Sequence, residues 1–173
     1  TLVFRYVKPV VPMLSDLNLP TSVPPLAHIT HGLVLVTGVT GSGKSTTLAA
    51  LIEEVNRTRR CHIVTIEDPI EYVYEEKKSI INQLEVGRDC PSFRLAMQRI
   101  LRFDPDIILV GEIRNRETME AALEAVETGQ VVFGTLHTFD AKQTVNRIIN
   151  LFTREEEGMV RSRVASGLRA VIS

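Results

Sequence analysis

The sequence predicts an α/β fold in which a mostly parallel sheet carries helices on both faces. Three observations lead there. Short runs of unbroken apolar residues recur along the chain, 33–36 and 107–110 among them, as strands buried on both faces require. Stretches with helical spacing lie between these runs, so that strand and helix alternate. A glycine-rich turn, Gly38 to Ser45, falls between the first such strand and the first such helix.

Taken in order, 33–37 (Leu-Val-Leu-Val-Thr) is the first core strand and 44–58 the helix after the glycine turn. A second strand covers 62–66. A helix follows at 92–102, with Phe93, Met97 and Ile100 on one face and Arg94, Gln98 and Arg102 on another. The strand 106–110, the helix 116–127 and the strand 131–136 continue the alternation. Two helices close the chain at 141–151 and 155–171, the second opened by Thr153-Arg-Glu-Glu156, a capping-box pattern. Residues 71–86 break the rhythm and read as a β-hairpin or a surface excursion around Glu75-Glu76-Lys77-Lys78.

Ahead of the first core strand, Pro9, Pro12, Pro20, Pro24 and Pro25 crowd the stretch 8–31. Proline fixes φ and lacks the N–H donor, so neither a long helix nor a central strand runs there. One short helical turn fits near 13–17, and a further strand fits 2–6. The proline-rich stretch reads as a linker, and a compact domain begins near Gly32. The chain has no initiator Met and no signal peptide, and reads as a piece of a longer protein.

Composition narrows the function. With 173 residues, 44% of them apolar and 24% charged, the chain is built like an ordinary globular domain. Twenty Lys and Arg against 21 Asp and Glu leave a net charge of −1, and there is no Trp. A basic or stacking surface for nucleic acid is therefore not suggested. Cys61 and Cys90 are too few for a structural zinc site and read as reduced thiols of a cytosolic protein. No apolar run approaches the roughly 20 residues of a membrane span.

Gly38-Val39-Thr40-Gly41-Ser42-Gly43-Lys44-Ser45 matches the P-loop pattern at every fixed position. Gly38, Gly41 and Gly43 let the backbone bend around phosphate, and Thr40 and Ser42 lie within the same cradle. The following helix adds a positive end. Lys44 reaches the β- and γ-phosphates, Ser45 offers its hydroxyl to Mg²⁺, and Thr46 supports the phosphate end. ATP with Mg²⁺ is the expected ligand.

Hydrolysis on such a loop needs a carboxylate at the end of a neighbouring strand. In Asp106-Ile-Ile-Leu-Val-Gly111-Glu112 the strand ends on glycine, which leaves room, and Glu112 is the candidate general base or water-positioning group. A second acidic cluster, Glu67-Asp68-Pro69-Ile70-Glu71, follows the strand 62–66 and faces the ligand crevice of an open α/β sheet. Spacing alone leaves open which of Glu67 and Glu71 turns inward. His137 ends the strand 131–136 and is placed to sense the γ-phosphate. His28, His31 and His62 have no such context.

The ordered set 38–46, Thr65-Ile-Glu-Asp-Pro-Ile-Glu71, Ile108-Leu-Val-Gly-Glu-Ile-Arg114 and Gly134-Thr-Leu-His-Thr138 resembles the secretion-superfamily ATPases, the motors of type IV pili and type II secretion. In that family the four motifs are the Walker A, Asp box, Walker B and His box. The stretch Lys77 to Gly87 is similar to the pilus-retraction (PilT-like) branch rather than the extension or secretion type. The resemblance implies that 1–31 is the end of an N-terminal domain with its proline-rich linker and 32–173 a RecA-like P-loop ATPase domain whose C-terminal part is missing. It implies a cytoplasmic homo-hexameric ring, peripheral to the inner membrane, where it docks on a platform protein. It implies ATP hydrolysis coupled to pilus retraction and twitching motility, with Glu112 as the Walker B acid, Glu71 or else Glu67 as the Asp-box acid, and His137 as the His-box histidine. Arginines of the N-terminal part complete a neighbour's site in this family, and Arg5 is the candidate here. Gln130 stands where retraction motors commonly carry histidine, and Phe103 where a polar residue is expected. Rival readings are an extension or secretion ATPase, a nucleic-acid-translocating motor, and a small-molecule kinase; the last leaves three of the four motifs without a purpose.

Overall fold

A computed structural model describes residues 10–173; the anticipated strand at 2–6, and Arg5 with it, lie outside the described residues. Six strands form one sheet: β1 (Gly32–Thr37), β2 (His62–Glu67), β3 (Ile80–Glu85), β4 (Ile107–Val110), β5 (Val131–Leu136) and β6 (Leu168–Ile172). Their order is β3-β2-β4-β5-β1-β6, and every pairing is parallel. The helices are α1 (Lys44–Thr58), α2 (Phe93–Ile100), α3 (Arg116–Glu127), α4 (Ala141–Ile149) and α5 (Glu157–Gly167).

Alternation of side chains along each strand divides the core in two. Leu33, Leu35, Val64, Ile66, Ile108, Val110 and Val132 face α2, α3, α4 and α5, where Met97, Ile100, Ala122, Ile148 and Val160 cover them. Val34, Val36, Ile63, Ile107, Leu109, Val131 and Phe133 point the other way, onto Leu48, Leu51, Ile52 and Val55 of α1. The proline-rich stretch packs on this second face: two 3-10 turns, Leu14–Leu17 and Pro24–His28, bury Leu14, Val23 and Ala27 against it. Arg59 holds that stretch in place by donating to the carbonyls of Ala27 and Ile29 at 3.2 and 2.9 Å.

Local chemistry sets the helix starts. Ser92, Asn115 and Asp140 each have extended backbone and accept from the N–H three residues on, satisfying one donor that the first turn leaves open. At α5 the expected capping box is half present. The Glu156 carboxylate accepts from the Thr153 N–H and hydroxyl at 3.0 and 3.1 Å, but the helix begins only after it.

Two expectations are corrected. Residues 71–86 form no hairpin: β3 runs parallel to β2, with His62 opposite Ile80 and Glu67 opposite Glu85. A parallel return needs a crossover of about a dozen residues, and 68–79 provides it. Asn56, fully buried in α1, anchors this crossover. Its amide donates to the Glu75 carbonyl at 2.7 Å, its side-chain oxygen accepts from the Lys77 N–H at 3.0 Å, and Lys77 pairs with the buried Glu53. Without Asn56 those backbone groups would be stranded, at about 1–3 kcal/mol apiece.

The last helix is also shorter than 155–171. It stops at Gly167, whose added Cβ would lie 2.9 Å from Val126, and the chain turns into β6 beside β1. Val171 and Ile172 are β-branched and suit that strand. An apolar run of this length reads equally well as helix or strand without its neighbours.

Candidate active site

The sheet order makes β2, β4, β5 and β1 consecutive, and their C-terminal ends open on one crevice. Each end carries one of the four motifs. A cavity of about 520 Å³ there is lined by Thr40, Gly41, Gly43, Lys44, Ser45 and Thr46 from the glycine turn and α1, Glu67 and Glu71 beyond β2, Glu112 beyond β4, and His137 beyond β5. Residues up to 97 positions apart in the chain thus share a site because parallel strands all end on the same side.

Gly38, Gly41 and Gly43 have φ of +139°, +82° and +95°, in the region that disfavours any side chain. A Cβ at Gly38 would strike Ser42 Oγ at 2.5 Å, whereas at Gly41 and Gly43 it would meet nothing within 4 Å and project into the cradle. Ser42 lies against Gly38 and is not among the residues lining the cavity. The Lys44 ammonium donates to the carbonyls of Gly38 and Val39, both at 2.9 Å, and draws the loop's first residues toward α1. Thr46, one turn into the site, shares a 3.1 Å hydrogen bond with the buried Tyr72 hydroxyl.

Glu112 is fixed by backbone pairing that continues past β4. The Gly111 N–H donates to Ile66 at 2.8 Å, the Ile113 N–H to Thr135 at 3.0 Å, and the Thr135 hydroxyl to the Gly111 carbonyl at 2.6 Å. At Gly111 an added Cβ would sit 3.2 Å from the Ile66 carbonyl and 3.3 Å from Glu67 Cα, so glycine is what lets the two acid-bearing strand ends lie this close. Glu112 Oε2 meets Arg114 Nη2 at 2.7 Å and Oε1 meets His137 Nε2 at 3.2 Å. The Arg114 hydrogen bond, reinforced by its charge and more weakly by His137 and Lys44, holds the Glu112 carboxyl below the ordinary range. A depressed pKa stabilises the fold above the ordinary carboxylate range, and that contribution is lost as pH falls through the lowered value.

Glu67 behaves oppositely. Burial pushes its carboxyl up, against hydrogen bonds from the Thr65 hydroxyl at 2.7 Å and the Gln83 amide at 3.3 Å. Glu71 is exposed, though it too lines the cavity. Of the pair that spacing left open, Glu67 is the half-buried, hydrogen-bonded one. Its raised pKa imposes a stability cost above the ordinary carboxylate range that vanishes below it. Glu67→Gln keeps an acceptor for Thr65 and Gln83 and removes the charge. Its melting temperature relative to the parent therefore climbs as pH rises from 4 to 8, as thermal scans across that range will read.

His137 is placed by the turn after β5, where the Thr138 and Thr144 hydroxyls share a 2.6 Å hydrogen bond and Thr144 donates to the Asp140 carbonyl. Gln130 lies at the opposite, N-terminal end of β5, where its carbonyl accepts from Gly32, roughly 20 Å along the strand from His137. It is remote from this chain's own cavity. Phe103 likewise stands exposed in a 3-10 turn before β4.

Sequence reasoning gave no part to Arg114, Thr65, Tyr72 or Thr135. Arg114 lay inside a quoted motif, and its position two residues past Glu112 was the available signal. Tyr72 had none, because its partner Thr46 is 26 positions away.

The model of the family described as type II/IV secretion system protein matches residues 21–173. The type IV pilus retractation ATPase PilT of Pseudomonas aeruginosa is 51% identical over 171 residues, covering 99% of this chain and 50% of that protein. A twitching motility protein of Neisseria gonorrhoeae is 53% identical over 171 residues, covering 99% and 46%. The crystal structure of the pilus retraction motor PilT with bound ADP superposes with a TM-score of 0.94 at 50% identity, over 96% of this chain and 49% of that one. The chain spans about half the length of each of these proteins. It belongs to the type II/IV secretion system protein family.

Proposed function

We propose that this chain is the nucleotide-hydrolysing part of a motor that powers pilus retraction, working as a homo-hexameric ring against an inner-membrane platform protein. One observation carries the reading: four motifs distant in sequence meet at four consecutive strand ends around one cavity. The retraction assignment is supported by relatives of that description that align with nearly the whole chain. Residues 1–31 are then the end of a preceding domain with its linker, and 32–173 the ATPase domain. Among the described residues no helix is long and apolar enough to cross a membrane.

In this reading ATP lays its phosphates in the glycine turn, against the N–H groups of 41–46 and the N-terminus of α1. Lys44 exchanges its two loop carbonyls for phosphate oxygens, a charge-assisted contact. Open space in front of Gly41 and Gly43 fits that use, since a Cβ at either would fill the cradle. Ser45, whose hydroxyl-bearing side chain lines the cavity, is the residue that would hold Mg²⁺, an ion that would neutralise phosphate charge when bound. Glu112, kept ionised near neutral pH, orients the attacking water and accepts its proton as the γ-phosphate bond to ADP breaks. His137 sits against Glu112 on the phosphate side, and Glu67, with Glu71 at the rim, completes the acidic wall.

The test is the ATPase rate per chain against protein concentration, with Lys44→Ala as blank. A rate per chain that climbs and then saturates is expected, because sites in a ring are completed between subunits. A flat, measurable rate would assign the activity to a single chain and end the ring reading.

A further inference from the structure

Both oxygens of Glu112 have partners, and the two partners are held differently. His137 belongs to a turn pinned by Thr138 and Thr144. Arg114 belongs to Glu112's own loop, which is anchored on either side of it. Ile113 is buried, its N–H bonded to Thr135, and the Asn115 side chain caps α3. The Arg114 side chain itself is 71% exposed, yet it folds back over the loop to Glu112 Oε2 at 2.7 Å rather than extending into water. Two residues apart and separated by a buried isoleucine, the acid and the guanidinium are locked by the backbone on the same side of the loop.

We propose that Arg114 is a positioning residue for hydrolysis: its guanidinium holds Glu112 in the orientation that turns Oε1 toward His137, and it acts on the reaction only through that carboxylate. The proposal rests on the reading of Glu112 as the water-orienting acid. The charged groups facing Glu112 are Arg114 on its own loop, His137 beyond β5 and Lys44 on α1, while Asp68 beyond β2 acts on Arg114, and Glu67 and Glu71 share the cavity. Of the cations, Arg114 is the strongest influence on Glu112, so its removal leaves the acid with the weaker pull of His137 and Lys44. A purely ornamental surface ion pair would change nothing measurable when broken.

The test uses the full-length protein and three variants, Arg114→Gln, Arg114→Lys and Glu112→Gln, with kcat and KM for ATP measured from pH 3.5 to pH 8. In Arg114→Gln we expect kcat to fall about 10- to 100-fold, as for a misplaced catalytic group, with KM little changed. The acidic limb of kcat moves to higher pH, because a carboxylate without its guanidinium protonates sooner. Arg114→Lys restores the limb, since the charge remains, and only part of kcat, since the planar fork is gone. An acidic limb that stays put in Arg114→Gln overturns the proposal, whatever the rate. Glu112→Gln separates the two readings: full turnover in that variant removes Glu112 from the reaction and Arg114's role with it. An inactive Glu112→Gln beside an unmoved Arg114→Gln limb overturns only the positioning role.

Discussion

Glu112→Gln lowers ATP turnover by about 10²–10⁴-fold while nucleotide affinity stays within about twofold of the parent, the loss a positioned general base accounts for. The amide preserves shape. Its oxygen still accepts from Arg114, so the loop pairing through Gly111, Ile113 and Thr135 is untouched. What disappears is the charge that attracts a water proton, and Glu67 does not replace it. Glu67 is pushed toward its neutral form by burial and is committed to Thr65 and Gln83. Single-turnover hydrolysis and titration with a fluorescent ATP analogue check the two halves separately. Turnover at the parent's rate removes Glu112 from the chemistry.

Lys44→Ala has the opposite signature, weakening nucleotide binding by roughly 10- to 150-fold, as loss of a charged hydrogen bond worth about 1.5–3 kcal/mol implies. The nucleotide-free fold should tolerate the change. Lys44 is only partly buried, its partners are two carbonyls of its own loop, and the core beneath begins at Leu48. Thermal unfolding makes the distinction visible. ATP at 100 times the parent's Kd stabilises the parent by about 2.7 kcal/mol and the variant by far less. Equal stabilisation of both would take Lys44 out of the phosphate site.

Much of this was legible in the chain. Core strands such as Ile107–Val110 announce themselves because both faces are buried, leaving no polar residue to confuse the period. The phosphate loop is equally plain, since positive φ favours glycine at Gly38, Gly41 and Gly43, the first and last of which are fixed positions of the pattern. What was not legible depends on long-range pairing. That β3 lies parallel to β2 follows from Asn56 gripping Glu75 and Lys77, contacts 19 and 21 positions apart that leave no local mark. That Leu168–Ile172 is a strand follows from the open edge of β1 beside it. At the site the residue types and their order were readable, but the ranking of Glu67 against Glu71 was not. Two carboxylates four apart look alike until β3 supplies Gln83 to one of them.

Asn56 and Lys44 sit near opposite ends of the same rigid rod. Twelve residues of helix separate them, about 18 Å of rise. The phosphate end grips its own loop through Lys44, and the far end grips the crossover through Asn56 and Glu53. Such a rod is a lever with a load at each tip. A tilt of about 5° at the phosphate end carries the far tip, and the backbone of 75–78 tied to it, through roughly 1.5 Å. The crossover in turn leads into β3, an edge strand of the sheet. Any tilt of α1 imposed at the glycine turn would thereby be felt at the margin of the sheet, away from the cavity.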